Sequence, residues 1–235
     1  MADDDLAVLL ERRPLLVVLA GPNGAGKSTF FDAHLAAAGL RFVNADILGR
    51  ELGLGSRKAA AVADAVRVEL IRQRESFITE TVFSDPVGAK LSVFTQAQAQ
   101  GYTVLLIFIG IGGVERSEER VAMRVSQGGH DVPPDRIVGR FARVLADLRA
   151  ALPRLSAVLV YDNDDLRRPY RRIARVEQGR IVEQARNPPA WWREVAEGEG
   201  LTPGSASSAR RHGSRSRTRP RACPARRDRT PCRRA

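Results

Sequence analysis

The chain has 235 residues, 43% of them hydrophobic, with a formal net charge of +11. That length suits one α/β domain with a sizeable core. No apolar run reaches the roughly 18 residues that cross a bilayer, and the acidic start Met1-Ala2-Asp3-Asp4-Asp5 lacks the basic region of a signal peptide, so a cytoplasmic protein with no membrane partner is expected. The charge is local: residues 203–235 hold eleven arginines against one aspartate, +10 of the +11, and both cysteines, Cys223 and Cys232. A structural disulfide or cysteine-based zinc site in the body is thereby excluded.

In chain order, residues 6–12 suit a short amphipathic helix closed by Pro14. Leu15 to Ala20 is an apolar run of buried-strand length. Directly after it stands Gly21-Pro22-Asn23-Gly24-Ala25-Gly26-Lys27-Ser28-Thr29, the spacing of a phosphate-binding loop. Glycine is needed because a Cβ would stop backbone N–H groups from wrapping a phosphate chain. A helix over 28–38, ended by Gly39, would point its positive end at the same phosphates. Lys27 supplies charge for the β- and γ-phosphates of ATP, and the Ser28 hydroxyl can ligate Mg²⁺.

Residues 41–44 read as a second strand, and Ala45-Asp46-Ile47-Leu48 opens the next segment. Ser56 reads as the N-cap of a helix to about Arg74, and Ser76 to Thr81 is a third strand bearing Glu80 near its end. A helix from Pro86 to about Gln100 leads to Tyr102–Gly110, the clearest central strand after the first. Helices over 115–126 and 135–151 flank the loop Gln127 to Pro134. Ala157 to Tyr161 is a fifth strand, residues 172–183 a small hairpin, and Pro188 to Trp192 starts a last helix in which the tryptophans pack rather than bind a base. Strands alternating with helices imply a three-layer α/β fold of the P-loop NTPase, nucleotide-kinase-like type, a parallel sheet with helices on both faces. Ligands then belong at the carboxyl ends of the strands, where the loop, Asn44 to Asp46, Glu80-Thr81, Gly110 and Asp162-Asn163 gather. No separate acidic strand end of the usual Walker B kind is seen, which favours a kinase over a motor-type ATPase. The expected domains are residues 1–200, the kinase, and 201–235, an Arg-rich tail too poor in apolar residues to order itself.

Four motifs in this order resemble the zeta-toxin family of P-loop small-molecule kinases: Gly21 to Phe30, Phe42-Val43-Asn44-Ala45-Asp46, Glu80 to Ser84, and Arg124 to Pro133. The resemblance covers about residues 13–165 and implies ATP-dependent phosphorylation of a hydroxyl on UDP-N-acetylglucosamine or a similar UDP-amino sugar, and an antitoxin partner. It implies Asp46 as the general base, matching the need for a carboxylate in reach of the acceptor hydroxyl; the alternative is a helix cap. Glu80 resembles the family's substrate-binding glutamate and can hold an acceptor hydroxyl or a Mg²⁺-bound water, with Asn44 and Thr81 as polar neighbours. Arg116, Arg120 and Arg124 share one helix face, and Arg136, Arg140 and Arg143 lie on the next helix. The family's two lid arginines are assigned to Arg124 and Arg140, with Arg120 in reserve. His130 reads as a lid residue. A second class of function, a nucleic-acid-associated NTPase or binding module using the basic tail, is carried by the charge of residues 203–235 alone.

Overall fold

A computed structural model describes residues 3–126, 133–197 and 202–203. Its sheet runs β2-β3-β1-β4-β5-β6-β7-β8, with β1 Leu15–Ala20, β2 Arg41–Val43, β3 Phe77–Thr81, β4 Thr103–Gly110, β5 Ala157–Asp162, β6 Arg171–Glu177, β7 Arg180–Gln184 and β8 Thr202–Pro203. The first five strands pair in parallel, and the β6–β7 hairpin joins β5 antiparallel. This is the expected P-loop kinase architecture, extended at one edge. Of the tail, only Thr202–Pro203 is described, paired in parallel with β7; His130 and the rest of residues 204–235 lie outside the described residues.

Alternation along β1 explains the layers. Leu16, Val18 and Ala20 enter one core cluster and Leu15, Val17 and Leu19 the other, and all six are buried. The first cluster is covered by α4 (Ser56–Arg72), α5 (Ala89–Ala99), α7 (Pro134–Ala151) and α8 (Ala190–Ala196). The second is covered by α1 (Asp3–Leu10) and by α2 (Lys27–Phe30) with the turns that follow it. A strand covered on both faces must be apolar on both, which is why β1, β4 and β5 read as continuous apolar runs. Among the described residues no helix is long and apolar enough to cross a membrane.

Three elements depart from expectation. Ser56 is the first residue of α4 rather than its cap, which is Gly55 with no side chain to offer. The helix after the glycine loop is not uniform: α2 gives way to a π-helical turn over Phe31–Leu35 and a 3₁₀ turn over Ala36–Ala38. Phe31 there stacks on Phe42 of β2, ring centroids 3.7 Å apart at 10°, a tertiary contact that sequence periodicity does not report. The segment after β2 is the helix α3, Ala45–Glu51. The alternative of Asp46 as a cap is corrected here: Asn44 is the cap, its Oδ1 accepting from the backbone N–H of Asp46 at 2.7 Å and of Ile47 at 3.2 Å. Asp46 keeps its carboxylate for other work.

Helix α8 packs its tryptophans against the sheet, as expected of them. Trp191 lies against Gly110, where a Cβ would sit 2.2 Å from the indole, and its Nε1 donates to Asp162 Oδ1 at 3.0 Å. Burial raises the Asp162 carboxyl above the usual range, against the indole hydrogen bond and Arg171. Trp192 is fully buried. Trp192→Ala is expected to cost about 3–5 kcal/mol, read as a lower urea midpoint; an unchanged midpoint would detach α8 from the core.

Candidate active site

The glycine loop joins the carboxyl end of β1 to α2. At Gly21, φ is 146° and a Cβ would lie 2.1 Å from the Ile109 carbonyl oxygen, so no side chain fits between the loop and β4. The loop is held from three sides. Ser117 of α6 (Val114–Ser126) donates to the Asn23 carbonyl at 2.6 Å. Asn163, just past β5, donates to the Ala25 carbonyl at 2.9 Å, and the Tyr170 hydroxyl donates to the Gly26 carbonyl at 2.9 Å. Asn163 thus ties the end of β5 to the loop, while its neighbour Asp162 accepts from Trp191. With these carbonyls engaged, the Ala25 N–H bonds the Pro22 carbonyl at 3.3 Å, and the following turn of α2 presents its N–H end to an anion. Asn23 Nδ2 is buried with no hydrogen-bond partner among the described residues, the sort of donor an arriving phosphate oxygen satisfies.

Lys27 is buried, its Nζ donating to the carbonyls of Gly21 at 3.1 Å and Pro22 at 3.0 Å. Burial lowers its pKa from the ordinary lysine value; Glu80 opposes this, Arg124 adds to it and Asp46 opposes it. Glu80 lies 4.0 Å from the ammonium. In the parallel register Glu80 stands opposite Leu19 on the neighbouring strand, and its Oε2 accepts from Ser28 Oγ at 3.2 Å and Asn44 Nδ2 at 2.9 Å. An acid on the strand beside β1, joined to the loop serine, occupies the place that the sequence appeared to leave without a Walker B carboxylate. Asn44 is thus divided between capping α3 and holding Glu80.

Two cavities meet at Asp46. The larger, about 720 Å³, is lined by Ser28, Phe31, Asp32, Phe42, Asp46 and Arg124 among others. The smaller, about 190 Å³, is lined by Asp46, Glu80, Thr81, Lys90 and Arg140 among others. Arg124 thus borders the larger cavity and Arg140 the smaller. Helical spacing explains Arg124: Ser117, Arg120 and Arg124 follow one stripe of α6 against the loop, where a Cβ on Gly24 would meet Arg120 Cβ and the Ser117 carbonyl at 3.0 Å. Arg116 turns away, pairing with Glu119 at 3.1 Å and Asp164 at 3.2 Å. Arg120 donates to the Asp164 carbonyl at 3.0 Å, and Arg143 to Ser84 Oγ at 3.2 Å. Residues that sequence reasoning missed are Arg67, Lys90 and Tyr170. The first two come from α4 and α5, and no local pattern signals that these helices reach the site.

The family model described as Zeta toxin matches residues 53–174. The chain belongs to the zeta toxin family. The matched span lies wholly after the glycine loop, so membership in the zeta toxin family does not depend on that motif. No curated protein matches in sequence. Among solved structures, the crystal structure of AvrRxo1-ORF1:AvrRxo1-ORF2 with sulphate ions is similar at 20% identity and a TM-score of 0.60, over 81% of this chain and 66% of that one. The AvrRxo1-ORF1:-ORF2 crystal structure with ATP is similar at 21% identity and a TM-score of 0.59, over 74% of this chain and 62% of that one. This zeta toxin family member therefore spans less than two thirds of those chains, and the likeness is one of fold.

Removing the Asn163 amide strands the Ala25 carbonyl in a buried setting. Asn163→Ala is expected to cost about 1–3 kcal/mol of stability and to weaken ATP binding while the chain stays folded. Titration with ATP checks this; an unchanged Kd would show that the loop keeps its shape without Asn163.

Proposed function

We propose that the protein is an ATP- and Mg²⁺-dependent small-molecule kinase that transfers the γ-phosphate to a hydroxyl of a UDP-amino sugar such as UDP-N-acetylglucosamine. The observation that carries this reading is Asp46, whose carboxylate borders both cavities within electrostatic reach of the loop lysine. A hydroxyl entering the larger cavity meets the Asp46 carboxylate and Ser28 of the phosphate-binding loop. Asp46 orients that hydroxyl and takes its proton. Residues 21–29 hold the phosphates, through backbone N–H groups, of which Pro22 has none, and through the Lys27 ammonium. Arg124, from the larger cavity, and Arg140, from the smaller, neutralise charge on the transferring group. Asn44, Glu80 and Thr81 border the acceptor.

Mg²⁺ fits the donors present. Ser28 and Glu80 put a hydroxyl and a carboxylate in contact, both hard oxygen ligands. Among the described residues no cluster of three or more His, Cys, Asp or Glu could hold an ion alone, so an ion here takes most of its ligands from phosphate and water. When bound, it shields phosphate charge. The UDP-sugar assignment is supported by family membership, and the volume of the larger cavity, about 720 Å³, is that of a small-molecule site. The same reading extends to a protein partner of the antitoxin kind, supported by the naming of the similar solved structures as ORF1:ORF2 complexes. Residues 1–200 are the proposed kinase domain and 201–235 an accessory tail.

ATP consumption with and without UDP-N-acetylglucosamine tests the proposal. ADP and a phosphorylated sugar are expected only with the acceptor, and Lys27→Ala is expected to abolish both. Asp46→Asn should lower kcat by about 10²–10⁴-fold with little change in ATP affinity. Full turnover by Asp46→Asn would remove Asp46 as the base, and ATP binding without any acceptor effect would remove the UDP-sugar assignment.

A further inference from the structure

The smaller cavity carries more than a border for Asp46. Alternation on β3 separates the two sides of the site: Glu80 faces α2, while Thr79 and Thr81 face α4 and α5. The charges on the cavity wall then sort into pairs. Arg67 is bound to Asp64 and donates to Thr79 Oγ1 at 2.6 Å. Glu80 is engaged by Ser28, Asn44 and Lys27. Asp46 stands at the junction with the larger cavity.

Lys90 and Arg140 are left. Neither makes an ion pair among the described residues. Lys90 Nζ donates to a neutral group, Thr81 Oγ1, at 3.0 Å. Burial lowers the Lys90 ammonium from its ordinary pKa, Arg67 and Arg140 push the same way, and Asp64 and Asp85 oppose them. The nearby acids have other duties: the Asp85 carboxylate accepts from the backbone N–H of Val87 at 3.2 Å and of Lys90 at 2.6 Å, and Asp147 accepts from the Asp85 N–H at 2.7 Å. A half-buried ammonium without a full counter-charge is costly unless something anionic completes it.

The hydroxyls on this wall point to the same chemistry. Thr81 Oγ1 accepts from both Lys90 Nζ at 3.0 Å and the Phe83 N–H at 3.1 Å. Ser84 Oγ accepts from Arg143 Nε at 3.2 Å. A hydroxyl whose oxygen is so occupied has its own proton to donate. The wall formed by Thr81, Ser84, Lys90 and Arg140 therefore offers two cations and two O–H donors.

We infer that this cavity is an anion subsite for the acceptor, binding a compact phosphoryl or carboxylate group on the molecule whose hydroxyl meets Asp46, with Lys90 as the specificity-determining residue. The inference rests on the kinase reading of the site and holds whether or not the acceptor is a UDP-sugar: acceptors are ionised compounds, and neutral sugars and polyols are poor ones. A volume of about 190 Å³ suits a small oxyanion, leaving the bulk of the acceptor to the larger cavity.

The test uses the full chain saturated with Mg²⁺ and a non-hydrolysable ATP analogue, so that the γ-phosphate position is filled. Pyrophosphate and malonate are titrated in turn by calorimetry, which separates phosphoryl from carboxylate recognition. One or both should bind the wild type. Lys90→Met should weaken that binding about tenfold or more, the loss of one charge-assisted hydrogen bond, and Lys90→Arg should retain it. Arg140→Met, on a different helix, should also weaken it and serves if Lys90→Met fails to fold. Absence of binding to the wild type, or equal binding by the wild type and the folded variants, overturns the subsite. The kinase reading fails separately, when no hydroxyl acceptor stimulates ATP consumption although the anion titrations respond.

Discussion

A lysine ammonium buried among backbone carbonyls constrains the whole site. Lys27 is held by the Gly21 and Pro22 carbonyls, with Glu80 as its nearest counter-charge. Carbonyl dipoles soften the desolvation of a cation but do not cancel it. The surrounding structure is therefore arranged for an anion to arrive. The loop must be glycine-rich to approach β4, its carbonyls must be tied by Ser117, Asn163 and Tyr170, and β3 must lie beside β1 for Glu80 to reach Ser28. Each of these comes from a different part of the chain, and each depends on the parallel order of the sheet.

That order also explains how one strand serves two chemistries. Side chains alternate along β3, so Glu80 belongs to the side of the loop while Thr79 and Thr81 belong to the layer of α4 and α5. Asp46 sits where the two sides join because Asn44 starts α3 immediately after β2. A cap satisfied by Asn44 frees the next carboxylate, and the dipole of α3 favours negative charge in that first turn. Local helix chemistry and the position of the acid are the same fact seen at two scales.

Much of the site is legible in the sequence because its parts are contiguous. The loop pattern, the apolar strand before it and the Asn44 to Asp46 turn are each read within ten residues. Lys90, Arg67 and the roles of Asn163 and Tyr170 are not, because each depends on a contact across the sheet. The arginines show the boundary well. Spacing by four puts Arg116, Arg120 and Arg124 on one face, yet ion pairs to Asp164 and Glu119 draw Arg116 off, while the approach of α6 to the loop brings Arg124 to the large cavity.

By itself, then, the sequence determined the layer architecture, through hydrophobic periods of two and 3.6, and the phosphate loop, through glycines that only a close backbone approach requires. The irregular winding of residues 31–38, the placing of Glu80 beside Ser28 and the division of charges around Asp46 were decided by tertiary structure alone. The physical reason is range: periodicity and capping act over a few residues, whereas burial and charge pairing depend on which distant segments the sheet brings together.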